Sequence, residues 1–337
     1  SIQKLKNWLV NNMVLTLFVV LCIIGIQLSG QPLTLVIDEL TSRIARNAFL
    51  VLSLIVPVIA GMGMNFGIVL GAMAGQIAII TAVNFGLGGL SGFLICVLLS
   101  TPLAILFGYL TGLILNKTKG QEMITSMILS FFANGVYQFL FLFLVGTIIP
   151  IRNKSMIVSG GVGVKNSLDL DGNLKYALDG IFKMTLYEVL FYASLFAIIA
   201  SVLSIGYHYT KHRKLTKKPL KYTILGIIIF GLCQFQSVYV TLSFATVPVV
   251  TILVTALLCV FNALIFKTKL GHDFRIVGQS RQVANASGID VNKVRIKAII
   301  ISTVLAAWGQ LIFLQNIGTL NTYGSHEQVG MFATAAI

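Results

Sequence analysis

Lys267-Thr-Lys-Leu-Gly-His-Asp-Phe-Arg-Ile-Val-Gly-Gln-Ser-Arg-Gln-Val-Ala-Asn-Ala-Ser-Gly-Ile-Asp-Val-Asn-Lys-Val-Arg-Ile-Lys297 is a polar, basic stretch set between two long apolar runs. Lys267, Lys269, Arg275, Arg281, Lys293, Arg295 and Lys297 are opposed only by Asp273 and Asp290. A short loop this rich in Lys and Arg lies on the cytoplasmic side of a membrane. Within it, Ala284 and Ala286 favour helix and Gly288 is a stop signal, so the sequence predicts a short helix over 279–287. A short helix carried on a cytoplasmic loop suits docking into a groove of a soluble partner.

Composition supports the membrane reading. Of 337 residues, 57% are hydrophobic and 10% charged, whereas a soluble domain carries about 25% charged residues. The net charge of +14 would raise nucleic acid as a partner for a soluble chain. Here the bases cluster beside apolar runs, so membrane orientation and anionic lipid account for them and no nucleic acid is expected. Cys22, Cys96, Cys233 and Cys259 all sit inside apolar runs without paired spacing, which predicts buried thiols and no metal site. Lys4 and Lys6 precede the apolar run from Met13 to Leu28 with no clear small-x-small cleavage site, so a retained first span is expected.

Blocks of charge set the expected topology. No charged residue lies between Lys6 and Asp38, Arg46 and Lys117, Glu122 and Arg152, Glu188 and Lys211, Lys221 and Lys267, or Lys297 and Glu327. At roughly 20 apolar residues per crossing, these runs predict an all-α, polytopic helical bundle of about nine to ten transmembrane helices. The expected spans are 11–29, 44–60, 64–83, 91–116, 122–149, 186–207, 222–246, 248–266 and 297–317, within a single domain over 1–337. With 267–297 inside, 208–221 and 117–121 also fall inside, and 150–185 is an extracytoplasmic insertion.

Polar residues inside the spans are the next signal. Gly63, Gly67, Gly71 and Gly75 recur every fourth residue, a spacing that lets helix backbones approach closely in lipid. Ser126, Ser130, Asn134 and Gln138 also step by four, so they form a slow spiral along one side of the fifth span, each step overshooting a full turn by about 40°. The seventh span carries Gln234, Gln236, Ser237, Tyr239, Thr241 and Ser243 before Pro248. Such groups either bond a neighbouring helix or line a path for a polar solute. The path candidates are Asn65, Ser130, Asn134, Gln138, Gln234 and Gln236. Asp169-Leu-Asp-Gly172 lacks the distal Glu of a calcium loop and reads as a turn. His208 and His212 lack the following Glu of a zinc-protease pair, so their basic loop reads as a lipid contact.

No Gly-Lys dipeptide, no Gly-x-Ser-x-Gly and no intramembrane acid pair occurs. The chain therefore offers no ATPase site, catalytic residue or cofactor site of its own. An integral-membrane enzyme or scaffold acting on lipid is the competing reading, and the missing catalytic constellation counts against the enzyme.

Leu270-Gly-His-Asp-Phe-Arg-Ile-Val-Gly-Gln-Ser-Arg-Gln-Val-Ala-Asn-Ala-Ser-Gly-Ile-Asp-Val-Asn-Lys293 resembles the coupling loop of ABC-importer permeases of the ribose, simple-sugar and nucleoside type, relatives of the branched-chain amino-acid permeases. Gly63-Met-Asn-Phe-Gly-Ile68 is similar to a Gly-Ile-Asp-Leu-Ser-Val-Gly-like segment of that family, with Asn65 standing for its acid and Gly67 for its serine. The resemblance implies an ABC-importer permease fold in a bacterial cytoplasmic membrane. It also implies that Gly278, Gln279, Ala284, Ser287, Gly288 and Ile289 couple the chain to an ABC ATP-binding subunit. The implied further partners are a second permease subunit and an extracytoplasmic solute-binding protein. The implied cargo is a small polar solute, a sugar or nucleoside, with a branched-chain amino acid as the alternative. The family continues past this point into further apolar sequence, so Met331-Phe-Ala-Thr-Ala-Ala-Ile337 reads as the start of another helix whose C-terminal companions are missing.

Overall fold

The computed structural model describes residues 9–10, 12–63, 65–118, 120–172, 174–212 and 217–335. The first half of the chain forms α1 (Met13–Ser29), α2 (Leu33–Leu52), α3 (Ile55–Ile59), α4 (Ile68–Asn84), α5 (Gly89–Lys117) and α6 (Glu122–Phe139). A π-helical turn, Leu140–Leu144, extends α6. Next come β1 (Ser167–Asp169), β2 (Lys183–Thr185), α7 (Leu186–His212), α8 (Lys217–Cys233), α9 (Gln236–Ser243) and β3 (Thr246–Pro248). The remainder forms α10 (Val249–Ile265), α11 (Lys269–Gln279), α12 (Arg281–Ala286), α13 (Val291–Ile317), β4 (Thr319–Asn321) and α14 (Ser325–Ala335). The chain divides into two compact units, Ser1–Arg43 with Met184–Val247, and Ile44–Lys183 with Pro248–Ile337.

In the first unit α1 buries no residue, so an apolar helix is left facing outward on every side, as lipid requires. Helix α7 packs along α8, where a Cβ on Gly226 would lie 2.9 Å from Ile198 Cγ1. Phe191 meets Phe230 at 5.4 Å between centroids, and Tyr187 meets Tyr239 edge-on at 4.9 Å.

The second unit is built around α13. Of its most apolar stretch 67% is buried inside the protein, against 28% for α5 and 22% for α6. Small residues on both flanks make this possible. A Cβ on Gly71 of α4 would sit 2.3 Å from the Thr303 carbonyl oxygen, and one on Gly108 of α5 would sit 2.2 Å from Thr303 Oγ1. At Gly71 and Gly75 the glycine spacing thus serves backbone-close helix packing, as the sequence predicts, whereas a Cβ on Gly63 would meet nothing within 4 Å. Thr303 Oγ1 donates to Ala104 O at 3.1 Å and Trp308 Nε1 to Thr101 Oγ1 at 3.0 Å, tying α13 to α5.

At one end of this unit the segment 150–182 closes over the bundle. Met156, Val164, Leu168, Leu170, Leu174 and Leu178 are buried in the main apolar core. Strand β1 pairs antiparallel with β4, Leu168 opposite Leu320. Asp179, 2% exposed, accepts from Thr251 Oγ1 and, at 2.6 Å, from Asn316 Nδ2. Residues of this segment thus contribute to the core. Asp169-Leu-Asp-Gly172 is a turn, with Asp171 N–H donating to Asp169 Oδ1 at 2.9 Å.

Among the described residues four helices are long and apolar enough to cross a membrane, or six if each of two bent pairs is one span. Met13–Ser29 and Ile68–Asn84 are apolar but shorter. Unbroken apolar runs hide the breaks. The run 44–60 starts within α2 and turns at Ser53-Leu54 before α3. The run 222–246 bends by 89° between Cys233 and Gln236. The run 122–149 leaves helix after Leu144. Within the basic loop at 208–221, residues 213–216 lie outside the described residues, and so does Met64.

Candidate functional site

The basic loop 267–297 folds as two helices and not one. Thr268 caps α11, its Oγ1 accepting from Gly271 N–H at 3.4 Å. Ser280 ends α11 and caps α12, accepting from Val283 N–H at 3.3 Å. The helix predicted over 279–287 thus begins two residues later, at Arg281, because the Ser280 side chain satisfies the free N–H groups of a new helix start. Gly288, φ +76°, makes the left-handed stop. Asp290 then caps α13, accepting from Lys293 N–H at 3.1 Å. That backbone bond and the Lys293 ammonium hold its carboxyl below the usual range.

The loop is pressed onto the bundle by backbone-close contacts. A Cβ on Gly278 would lie 2.0 Å from the Ile59 carbonyl oxygen, so α11 meets the end of α3 with no room for a side chain. Phe274, Val277 and Ala284 are buried with Val56, Leu115, Val294 and Ile299 in one apolar cluster. Of the predicted coupling residues, Ala284 faces inward and Ile289 is half-buried. Gly278, Gln279, Ser287 and Gly288 are exposed beside Gln282, Val283, Asn285 and Ala286.

Beneath the loop lies a buried ionic cluster. Glu122, the first residue of α6, accepts on Oε1 from Arg281 Nη2 at 2.5 Å and from Arg295 Nη2 at 2.7 Å. Arg295 is fully buried and Glu122 is 9% exposed. One carboxylate oxygen therefore holds α6, α12 and α13 together. Glu122 Oε2 also accepts from Gly120 N–H at 2.9 Å. A carboxylate at a helix N-terminus is further favoured by the aligned peptide dipoles.

The row predicted on α6 is buried and leads away from this cluster. Ser126 Oγ accepts from Phe66 N–H at 3.1 Å, and Asn65 Oδ1 accepts from Gly67 N–H at 2.8 Å at the start of α4. Ser130 is 9% exposed. Asn134 meets His326 Nε2 at 2.9 Å through Oδ1 and donates from Nδ2 to Glu327 Oε1. His326 Nδ1 meets Gln76 Oε1 at 3.0 Å, and Gln76 Nε2 donates to Thr322 O at 2.6 Å. Gln138 reaches Asn134 Oδ1 only at 3.4 Å. Gln234 and Gln236 belong to the other unit, where both are exposed at the bend between α8 and α9.

Two apolar grooves flank the second unit. One of about 610 Å³ runs among α5, α10 and α13, lined by Phe93, Val97, Leu258, Val304 and Trp308. One of about 400 Å³ lies among α4, α5 and α6, lined by Leu70, Met73, Phe107, Val136 and Tyr137. Asn65, Ser130, Asn134 and Gln138 line neither. Three atoms near the row, Asn65 Nδ2, Thr111 Oγ1 and Tyr137 Oη, are buried without a hydrogen-bond partner among the described residues. Sequence reasoning missed Glu122, Arg281 and Arg295 as a set, and Gln76 and His326. Glu122 carried a signal, as the only acid between Arg46 and Asp169. Gln76, one residue past Gly75 in an apolar run, carried a weaker one.

Residues 36–337 match the family described as branched-chain amino acid transport system / permease component. No match was found among curated proteins or among solved structures. The matched family covers most of the chain, so the chain belongs to it. It is a multi-pass ABC permease, a transport subunit whose family implies an ATP-binding subunit as partner.

Proposed function

We propose, taking membership of this permease family as the premise, that the chain forms the translocation path of an ATP-driven importer of a small uncharged hydroxylated solute, a sugar or a nucleoside. The observation that carries this reading is the buried row Ser126, Ser130 and Asn134 on α6. It starts at the loop that meets the ATP-binding subunit and consists of hydroxyl and amide groups. Buried amides and hydroxyls need partners, and the unpaired atoms of Asn65, Thr111 and Tyr137 beside the row suit a ligand rich in hydroxyls. The family description names branched-chain amino acids, but a zwitterion with an aliphatic tail would call for ionic partners along the row, where the neutral groups dominate.

On this reading Asn65, Ser130, Asn134 and Gln138 line the path. The chain works as a single permease domain. The protein crosses a bacterial cytoplasmic membrane about nine to ten times once helices shorter than roughly 20 residues are counted as crossings. It pairs with a second permease subunit and receives solute from an extracytoplasmic binding protein. The exposed face of Gln279, Gln282, Val283, Ser287 and Gly288 docks on the ATP-binding subunit. The test is uptake of labelled ribose, uridine and leucine by vesicles holding the assembled complex. ATP-dependent uptake of ribose or uridine is expected, and uptake of leucine alone would overturn the solute class. Single cysteines at Asn166 and Lys293 should react with impermeant reagents from opposite faces.

A further inference from the structure

We propose that Glu122 is the joint through which movement of the coupling helices enters the solute path, with Arg281 as the arm that grips the moving part. The inference rests on the reading of α11 and α12 as the docking site of the ATP-binding subunit. Glu122 Oε1 is shared by Arg281 of α12 and Arg295 of α13, at 2.5 and 2.7 Å. Helix α12 carries the exposed docking face, and α13 is the core of the unit. Glu122 itself opens α6, and Asn134 lies twelve residues further along that helix, about 18 Å at roughly 1.5 Å per residue. Asn134 then grips His326 of α14. A displacement of α12 is therefore delivered to the row on α6 through one carboxylate.

Arg281 and Arg295 play different parts. Arg295 is fully buried on the core helix, and its Nε and Nη1 have no partner among the described residues. Its charge is held only by Glu122, so this half of the cluster stays closed. Arg281 is part-exposed, with 34% of its side chain accessible, so it can be exchanged without stranding a buried charge. It is a positioning residue. It does not line the row and acts on it only through Glu122.

The test uses the complete complex with its ATP-binding subunit in lipid vesicles. Arg281→Gln should cut solute imported per ATP hydrolysed by about five-fold or more, the lower end of site-to-site coupling effects. Arg281→Lys, which keeps the charge, should recover most of it. The solute is whichever of ribose, uridine or leucine the wild-type complex imports. Spin labels at Gln121 and Asn285 give a second reading that needs no solute. Between the nucleotide-free and ATP–vanadate states their separation should hold in the wild type and shift in Arg281→Gln. A wild-type shift as large as that of the variant would overturn the joint, as would unchanged import per ATP in Arg281→Gln. Failure of both variants to assemble would also overturn it, by making the contact a structural tie. If the wild-type complex imports none of the three solutes, the proposed solute class fails, and the label separation alone decides the joint.

Discussion

The second unit holds two buried polar clusters of opposite kind. At Glu122, two guanidinium groups share one carboxylate oxygen, and two nitrogens of Arg295 have no partner among the described residues. At His326, the ring nitrogens meet side-chain carbonyls of Gln76 and Asn134, and Gln76 continues to a backbone carbonyl. The first cluster is held by charge and is costly to break from one side. The second is held by hydrogen bonds that can be exchanged for others of equal strength. The first contact therefore resists displacement of its helices, and the second permits rearrangement.

The largest effect should come from breaking the ionic cluster. Removing one partner of a buried ion pair costs about 3–5 kcal/mol. Glu122→Ala and Arg295→Ala should each nearly abolish assembled protein, measured as the monodisperse fraction in detergent. Replacing the pair together, Glu122→Leu with Arg295→Met, should restore much of it. If Glu122→Ala costs no more than loss of His326, the contrast between the clusters collapses. His326→Ala should be milder, about 1–3 kcal/mol for leaving a buried hydrogen-bonding group unpaired, read as thermal unfolding with and without solute. Equal destabilisation in both conditions would assign His326 to structure alone. Ser280→Ala, which removes the α12 cap, should cost about 1 kcal/mol and raise amide exchange across 281–286. Gln138→Ala should change stability by less than about 0.5 kcal/mol, since its bond to Asn134 is long. A clear loss of uptake at unchanged stability would place Gln138 on the path.

Much of this was legible in the sequence, and the physical reasons divide it cleanly. The glycines at 67, 71 and 75 and the four-residue row on α6 obey helix geometry, so local spacing reports which side they occupy. The helical fold of the loop 267–297 was legible because its glycine stop and its apolar positions are local signals. The missed features join distant parts of the chain. Glu122 and Arg295 lie on helices far apart in sequence, and nothing local to Arg295 distinguishes it from Lys293 or Lys297, which face solvent. His326 reads as a loop residue until α14 is seen to turn it toward Gln76. Charge blocks also misplaced α2, because Glu39 and Arg43 pair on an exposed side of a helix that runs through them.

The central position of α13 has a consequence for biogenesis. The helix that fills the glycine faces of α4 and α5 follows both in chain order by some two hundred residues, about ten seconds or more at roughly 5–20 residues per second of synthesis. Throughout that interval Gly71, Gly75 and Gly108 present bare backbone to lipid, and Leu168 has no strand to pair with until Leu320 emerges. The early helices therefore wait in the membrane as an open clamp. The arrival of α13 and β4 closes both helix faces and the β1–β4 pair.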